Sequence, residues 1–357
     1  MARGPLQTLT DPLTYGAVRL AGGAVNLFDI DETIPVLRGL GEVWARSPMN
    51  ATRLKRAERN IAWCFPEWPR PRVERCAMDA YKRLFALAAE VAYSPSMLTD
   101  DGWPTRVELG ELGCAVDQLL SRRPCLLITG HCGNWEALGS TLGVLGFPIH
   151  ALYRPLDIAA LDNWVRQTRA RHGLDLLSKF GATEQIPRVM ERGDSVGFIA
   201  DQNAGPRGLF VPFFDRLAST YKSIGLLAMR FDAPVICGQA MCLGGPASMR
   251  LKYRIDVIDI IKPDDWREQP DPLFYITARY RRAIEEMVRR APEQYLWMHR
   301  YWKSRPRHER EGRPFPEPLK EKIRALPWMT EENLGRIVER SAQDAREFAE
   351  AAEAKAS

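Results

Sequence analysis

No stretch of this 357-residue chain reaches the roughly 18 uninterrupted apolar residues that a membrane-crossing helix needs. The nearest, YGAVRLAGGAVNLF at 15–28, carries Arg19 and Asn26 and is too short. It reads as a helix that lies along a membrane surface or packs in the ordinary way. No positively charged leader with an apolar run and a small-residue cleavage site opens the sequence. Its seven cysteines (64, 76, 114, 125, 132, 237 and 242) form no CxxC pair and show no metal-ligand rhythm. Reduced thiols in a cytoplasm-facing protein follow. HExxH and PCxxC are missing, which argues against zinc; GxSxG is missing, which removes a serine on a nucleophile elbow. An excess of either charge is missing too. Fifty Lys and Arg against 45 Asp and Glu leave +5, too little to imply nucleic acid.

What is present fits a globular enzyme. Hydrophobic content of 45% with 27% charged residues can fill one large core or two modest ones. Residues 34–47, 51–64 and 72–93 place apolar side chains at helical spacing, so the chain is mostly helical up to residue 120. TRVELGELGCAVDQLLSR reads as short elements leading inward. From Pro124 the rhythm changes. CLLITG, IHALYR, SVGFIAD and APVICGQAM are short buried-strand runs, separated by amphipathic segments at 134–145, 159–172, 183–192 and 220–231. That alternation predicts an α/β fold with a mixed, mainly parallel sheet flanked by helices. SMRLKYRIDVIDI alternates Leu251, Tyr253, Ile255 and Val257 with Lys252, Arg254 and Asp256, a half-exposed strand antiparallel to its neighbour through the GGP turn.

The expected organisation is a membrane-associating helical segment at 1–50, a catalytic domain at 51–312 and a helical extension at 313–357. The extension is Ala/Glu-rich with a thin apolar stripe, an appendage not needed for chemistry. Between Arg279 and Arg310, ten Lys or Arg interleave with four acids and with Tyr295, Trp297, Tyr301 and Trp302. Such a strip suits anionic head groups or a phosphorylated ligand, unless it is a solvated helix face with core aromatics.

The stretch TGHCGNWEALG, 129–139, carries the chemistry. His131 falls at the carboxyl end of a strand, where open α/β sheets bind ligands. Asn134 is a suitable N-cap and puts Glu136 in the first turn of the next helix. Inside one helix, a separation of five would set His131 and Glu136 about 140° apart. The pair therefore works only with the histidine on the loop, where Gly130 and Gly133 supply the tight backbone. A histidine held by a carboxylate is an oriented general base, and with no protein nucleophile it would act on a substrate hydroxyl. The residues alone leave other readings open: a buried structural histidine, a Cys132 thiol nucleophile, or a zinc ligand.

The same stretch resembles the GHFGNWE block of the lipid A late acyltransferases, which share an H-x4-D/E signature with the glycerol-phosphate acyltransferases. Further blocks follow in family order over residues 15–308: AERNIAWCFPE (57–67), LYRPLD (152–157), RARHG (169–173), GFIADQNAG (197–205), LFVPFFDRLAST (209–220) and PEQYLWMHRYWKSRP (292–306). Asp215 stands where the family has Gly, Asn203 where it has an acid, and Lys222 where a small or polar residue is expected.

The resemblance implies a membrane-surface O-acyltransferase on the cytoplasmic face of the inner membrane, peripheral or monotopic. His131 would be the base, with Glu136 orienting it. Arg154 would bind acceptor phosphate or the oxyanion, and Asp201, Gln202, Asn134 and Arg169 would line the substrate site. The implied donor is acyl carrier protein or acyl-CoA and the acceptor a glycolipid at an anionic membrane surface, with no cofactor, metal or nucleic acid. A hydrolase on the same fold and a non-enzymatic lipid binder are the alternatives.

Overall fold

The computed structural model describes residues 5–25, 27–170, 173–244 and 251–356. Four helices come first: α1 (Pro5–Val25), α2 (Ile30–Arg46), α3 (Ala51–Cys64) and α4 (Arg70–Met97). The Asp29 side chain caps α2 by accepting the Asp31 N–H, and Asp31 and Glu32 sit in its electropositive first turn. α2 packs along α4, where Ile30, Ile34, Ala86 and Tyr93 share a buried cluster with Tyr253 and Ile255 of the sheet. The segment before residue 50 is thus partly integrated into the body of the protein.

Short elements α5 (Trp103–Arg106), β1 (Val107–Leu109) and α6 (Gly113–Leu120) lead to β2 (Leu126–Thr129). Then come α7 (Trp135–Val144), β3 (Ile149–Tyr153), α8 (Ala159–Ala170), β4 (Leu174–Ser178), α9 (Ala182–Glu191) and β5 (Ser195–Ile199). β6 (Leu209–Phe213) and β7 (Arg216–Thr220) form a hairpin. After it run α10 (Lys222–Phe231), β8 (Val235–Leu243), β9 (Lys252–Ile261), α11 (Pro263–Trp266) and α12 (Pro272–Arg290). α13 (Arg307–Arg310), α14 (Glu317–Arg324) and α15 (Glu331–Ala356) close the chain.

The seven-stranded sheet has the order β1-β9-β8-β2-β5-β3-β4, and every pairing is parallel except β8 with β9. This is the expected fold class. Strands β2, β5 and β8 are largely apolar because helices cover both faces: Leu126, Ile128, Val196, Phe198, Val235 and Cys237 are all buried. The expected antiparallel strand is β9, with Tyr253 and Ile255 inside and Lys252 and Arg254 outside. The turn that joins it to β8 falls on 245–250, outside the described residues. The chain leaves β2 toward the β4 edge and leaves β5 toward the β1 edge, which opens a crevice beyond their carboxyl ends.

Burial refines two expectations. The aromatics of the strip at 279–310 do not face solvent: Tyr295, Trp297, Tyr301 and Trp302 are buried, while most of its cations are exposed, the arrangement of a solvated face over core aromatics. Arg279 meets Asp259 and Asp265, Arg289 meets Glu285, Arg290 meets Glu286, and Arg305 meets Glu309 and Asp344. Nor is the carboxyl-terminal extension a solvated appendage. Ile323, Leu326, Leu334 and Ile337 are buried in the main core, and Asp344 of α15 accepts from Arg216 Nε at 3.0 Å and Arg305 Nη2 at 2.7 Å.

Candidate active site

β2 ends at Thr129, paired in register with Ile199 of β5. Two residues beyond each lie His131 and Asp201. The loop that carries His131 is fixed on several sides. Leu296 N–H donates to the His131 carbonyl at 3.1 Å, Gly133 N–H to the Gln294 carbonyl at 3.0 Å, and Asn134 N–H to the Ala240 carbonyl at 2.7 Å. Gly133 has φ +67°, and a Cβ there would sit 2.1 Å from the Ala240 carbonyl oxygen, so only glycine fits.

Asp201 grips His131 twice. Its Oδ2 accepts the His131 backbone N–H at 3.0 Å, and its Oδ1 lies 2.7 Å from the ring Nδ1. Asp201 is fully buried, which opposes ionisation. The His131 charge, those two hydrogen bonds and Arg281 overcome that and bring its pKa down to about 2. An ionised Asp201 fixes the tautomer with the proton on Nδ1, leaving the Nε2 lone pair to accept. The Gln202 side-chain nitrogen stands 3.5 Å from Nε2, and the Trp135 ring meets the imidazole edge-on with centroids 4.9 Å apart.

Glu136 is not the partner of this histidine. Both of its oxygens are taken by Arg169: Nε donates to Oε2 at 2.9 Å and Nη2 makes a second, short contact with Oε1. The physical reason is helix geometry. Glu136 lies in the first turn of α7 and Arg169 in the last turn of α8, where each helix dipole favours that charge. The guanidinium fork fills the carboxylate bidentately, and Asp201 reaches the imidazole from the neighbouring parallel strand.

Asn134 caps α7 as expected, its Oδ1 accepting the Ala137 N–H at 2.8 Å. Its Nδ2 donates to Glu90 Oε2 at 2.8 Å and to the Tyr253 hydroxyl at 3.0 Å. With these atoms engaged in the interior, it is an anchor for the loop and not a surface for substrate. Glu90 is in turn paired with the buried Arg83. Arg154 lies just past β3, exposed on the same rim of the sheet. Asn203 exchanges hydrogen bonds with Ser304, Nδ2 to Oγ and backbone N–H to Oδ1, each 3.1 Å.

Two residues of the site escaped the sequence reading. Arg281, fully buried on α12, donates from Nη1 to the Asp201 carbonyl at 2.5 Å and stacks 3.8 Å over the Phe213 ring. His299 is half-buried; its pKa is lowered by burial, raised in part by Asp201 and lowered again by His131. Neither has a local signal beyond its place in a basic, aromatic strip. The thiol reading meets an obstacle. Cys132 is buried with Sγ 3.8 Å from Met287 Sδ, and burial together with Asp201 pushes its pKa up. Among the described residues, no three His, Cys, Asp or Glu side chains are grouped to hold a metal. An open cleft of about 550 Å³, lined by His150, Arg166, Arg188 and Arg192 among others, lies against the β4 edge and shares no residue with the His131 site.

Residues 23–304 match the family model described as bacterial lipid A biosynthesis acyltransferase. The chain is 25% identical over 259 residues to the lipid A biosynthesis palmitoleoyltransferase of Escherichia coli K12, covering 70% of this chain and 78% of that one. It is 25% identical over 280 residues to the lauroyltransferase of the same organism (75% and 84% covered). To its myristoyltransferase it is 23% identical over 275 residues (76% and 81%).

Proposed function

The chain belongs to the bacterial lipid A biosynthesis acyltransferase family and is an acyltransferase, and on that footing we propose that it moves a fatty acyl chain from a thioester to a hydroxyl of a lipid A precursor-like glycolipid. The donor is acyl carrier protein or coenzyme A. The observation that carries the reading is the His131–Asp201 couple at the carboxyl rim of the sheet. His131 Nε2 takes the proton of the acceptor hydroxyl as its oxygen attacks the thioester carbonyl. The tetrahedral adduct collapses, the C–S bond breaks, and the imidazolium returns its proton to the leaving thiolate. An ester and a free thiol result, with nothing oxidised or reduced. Asp201 orients the ring and offsets the transient imidazolium charge. Gln202, beside Nε2, is placed to meet the developing oxyanion, and Arg154 to hold an anionic part of either substrate. Glu136 acts through Arg169, fixing the rim between α7 and α8.

The enzyme works at the membrane surface, peripherally, on the cytoplasmic face of the inner membrane. Among the described residues no helix is long and apolar enough to cross a bilayer. Val36, Leu40 and Val43 form an exposed stripe along α2, and Leu13, Leu20, Leu27 and Phe28 are exposed nearby in sequence. Such a stripe suits the interfacial zone of a bilayer.

The test is direct. Purified protein is given acyl carrier protein or coenzyme A thioesters with a lipid A precursor, and the glycolipid is weighed by mass spectrometry. The expected result is the gain of one acyl chain with wild type and none with His131→Ala. Release of free fatty acid without acylated glycolipid would make the protein a hydrolase. Absence of any turnover, with the lipid still bound, would make it a binding protein.

A further inference from the structure

Four guanidiniums gather beside the His131 loop without a counter-ion among the described residues. On α3, Arg53, Arg56 and Asn60 stand at i, i+3 and i+7 and share a face, with Arg59 alongside. Asn60 Nδ2 ties that face to the carbonyls of Trp297 at 2.8 Å and His299 at 3.0 Å, and Arg56 Nη1 donates to the Met298 carbonyl at 3.1 Å. The same segment continues into Arg300 and, in the other direction, reaches Leu296, whose N–H holds the His131 carbonyl. The cluster is therefore a few residues from His131 along one hydrogen-bonded path, and His299 on that path is within electrostatic reach of Arg56, His131 and Asp201.

The charges in this patch repel one another. Burial, then Arg300, Arg59 and Arg53, lower the pKa of Arg56. Arg59 lies over the Trp63 ring at 4.6 Å, and among the described residues no carboxylate comes within ion-pair distance of any of the four. Arg279, Arg289, Arg290, Arg305 and Arg307 of the basic strip each meet a carboxylate, which these four arginines do not. Uncompensated arginines cost stability unless an anion joins them, and several guanidinium forks suit a tetrahedral, doubly charged oxyanion better than a carboxylate.

We infer that Arg53, Arg56, Arg59 and Arg300 form a subsite that holds a phosphate-type group of the acceptor while its hydroxyl reaches His131. The inference rests on the acyl-transfer reading of the His131 site.

Arg53→Gln/Arg59→Gln and Arg300→Gln are the variants of choice, since all three side chains are exposed and unfolding is easily checked by thermal melt. For a phosphorylated glycolipid acceptor KM should rise roughly ten-fold or more, the scale of one lost charge-assisted hydrogen bond. The kcat should stay within about two-fold and the donor KM should not move. Wild type and variants should converge on the same acceptor after phosphatase treatment. Calorimetry with inorganic pyrophosphate gives a readout that needs no acyl transfer: wild type binds it and the variants bind it at least ten-fold more weakly, on the same scale. If no glycolipid is acylated yet that binding difference holds, the acyl-transfer reading fails while the anion subsite stands. The inference is overturned by an unchanged acceptor KM, an equal rise with dephosphorylated acceptor, or a rise confined to the donor. It is also overturned if the variants lose only sedimentation with phosphatidylglycerol vesicles, which would make the patch a membrane contact.

Discussion

Arg281 stands directly behind Asp201: its Nη1 donates to the Asp201 backbone carbonyl while the Asp201 carboxylate holds the His131 ring. Arg281 is fully buried, and its Nε and Nη2 have no hydrogen-bond partner among the described residues. Arg281, Asp201 and His131 thus follow one another from the core to the crevice. The inner cation helps keep the middle carboxylate ionised, and the carboxylate keeps the outer ring in one tautomer.

The first prediction separates the two candidate carboxylates. His131→Ala and Asp201→Asn should each lower acyl transfer roughly 10²–10⁴-fold, the scale of a positioned general base. Their double mutant should be little worse than His131→Ala, because the two act as a unit. Glu136→Gln should show coupling with Arg169→Gln and almost none with His131→Ala. Strong Glu136–His131 coupling, with none between Asp201 and His131, would reverse the roles.

A second prediction concerns acid stability. Asp201 has a folded pKa of about 2 against 3.8 for the free side chain. A depressed carboxylate contributes stability above its unfolded value, and the contribution is lost as pH falls through the folded one. The loss falls between pH 3.8 and 2 and amounts to about 2 kcal/mol at most. Asp201→Asn should lack that acid-dependent component in urea melts. Parallel pH profiles for variant and wild type would refute the assignment.

The carboxyl-terminal helices should matter for stability and not for chemistry. Asp344→Ala leaves Arg216 and Arg305 buried without this shared carboxylate, which should cost about 3–5 kcal/mol, as for other broken buried pairs. The kcat per folded molecule should stay within about three-fold, since no residue of α15 approaches His131. An unchanged urea midpoint would show that the pairing is idle.

Membrane attachment should depend on α2. Val36→Glu/Val43→Glu places two carboxylates in the exposed stripe and should reduce co-sedimentation with anionic vesicles about ten-fold or more. The rate on detergent-dispersed acceptor should hold. Undiminished sedimentation would move the contact elsewhere.

The sequence made His131 legible because strand, glycines, cap and histidine are contiguous. Its partner was legible only as another residue on the rim. Asp201 lies seventy positions later, and its approach depends on β5 pairing with β2 in a register that no local pattern states. Glu136 misled because sequence nearness stood in for spatial nearness, and Arg169 captured it. β4 was missed because an edge strand buries only Leu174 and Leu177, too few for a period. The β6–β7 hairpin was hidden for another reason. Its turn residues, Phe214 and Asp215, have φ of 52° and 54°, a conformation ordinarily given to Gly or Asn. Asp215 there pairs with Arg336 of α15 at 3.0 Å, so its departure from the family's glycine concerns the hold on the last helix.

The backbone closure of the His131 loop by residues 294–296 has a bearing on biosynthesis. A chain emerging from the ribosome presents the base early, yet Gln294 and Leu296, which fix its loop, are made more than 160 positions later. Strand β8, the direct neighbour of β2, also arrives late. A nascent chain should therefore be unable to acylate anything until nearly the whole catalytic region has left the exit tunnel. Activity should thus begin only when these late-made partners are in place. Chains arrested before residue 290 should be inactive while still tethered, and activity in them would show that the loop can be shaped without its late-made partners.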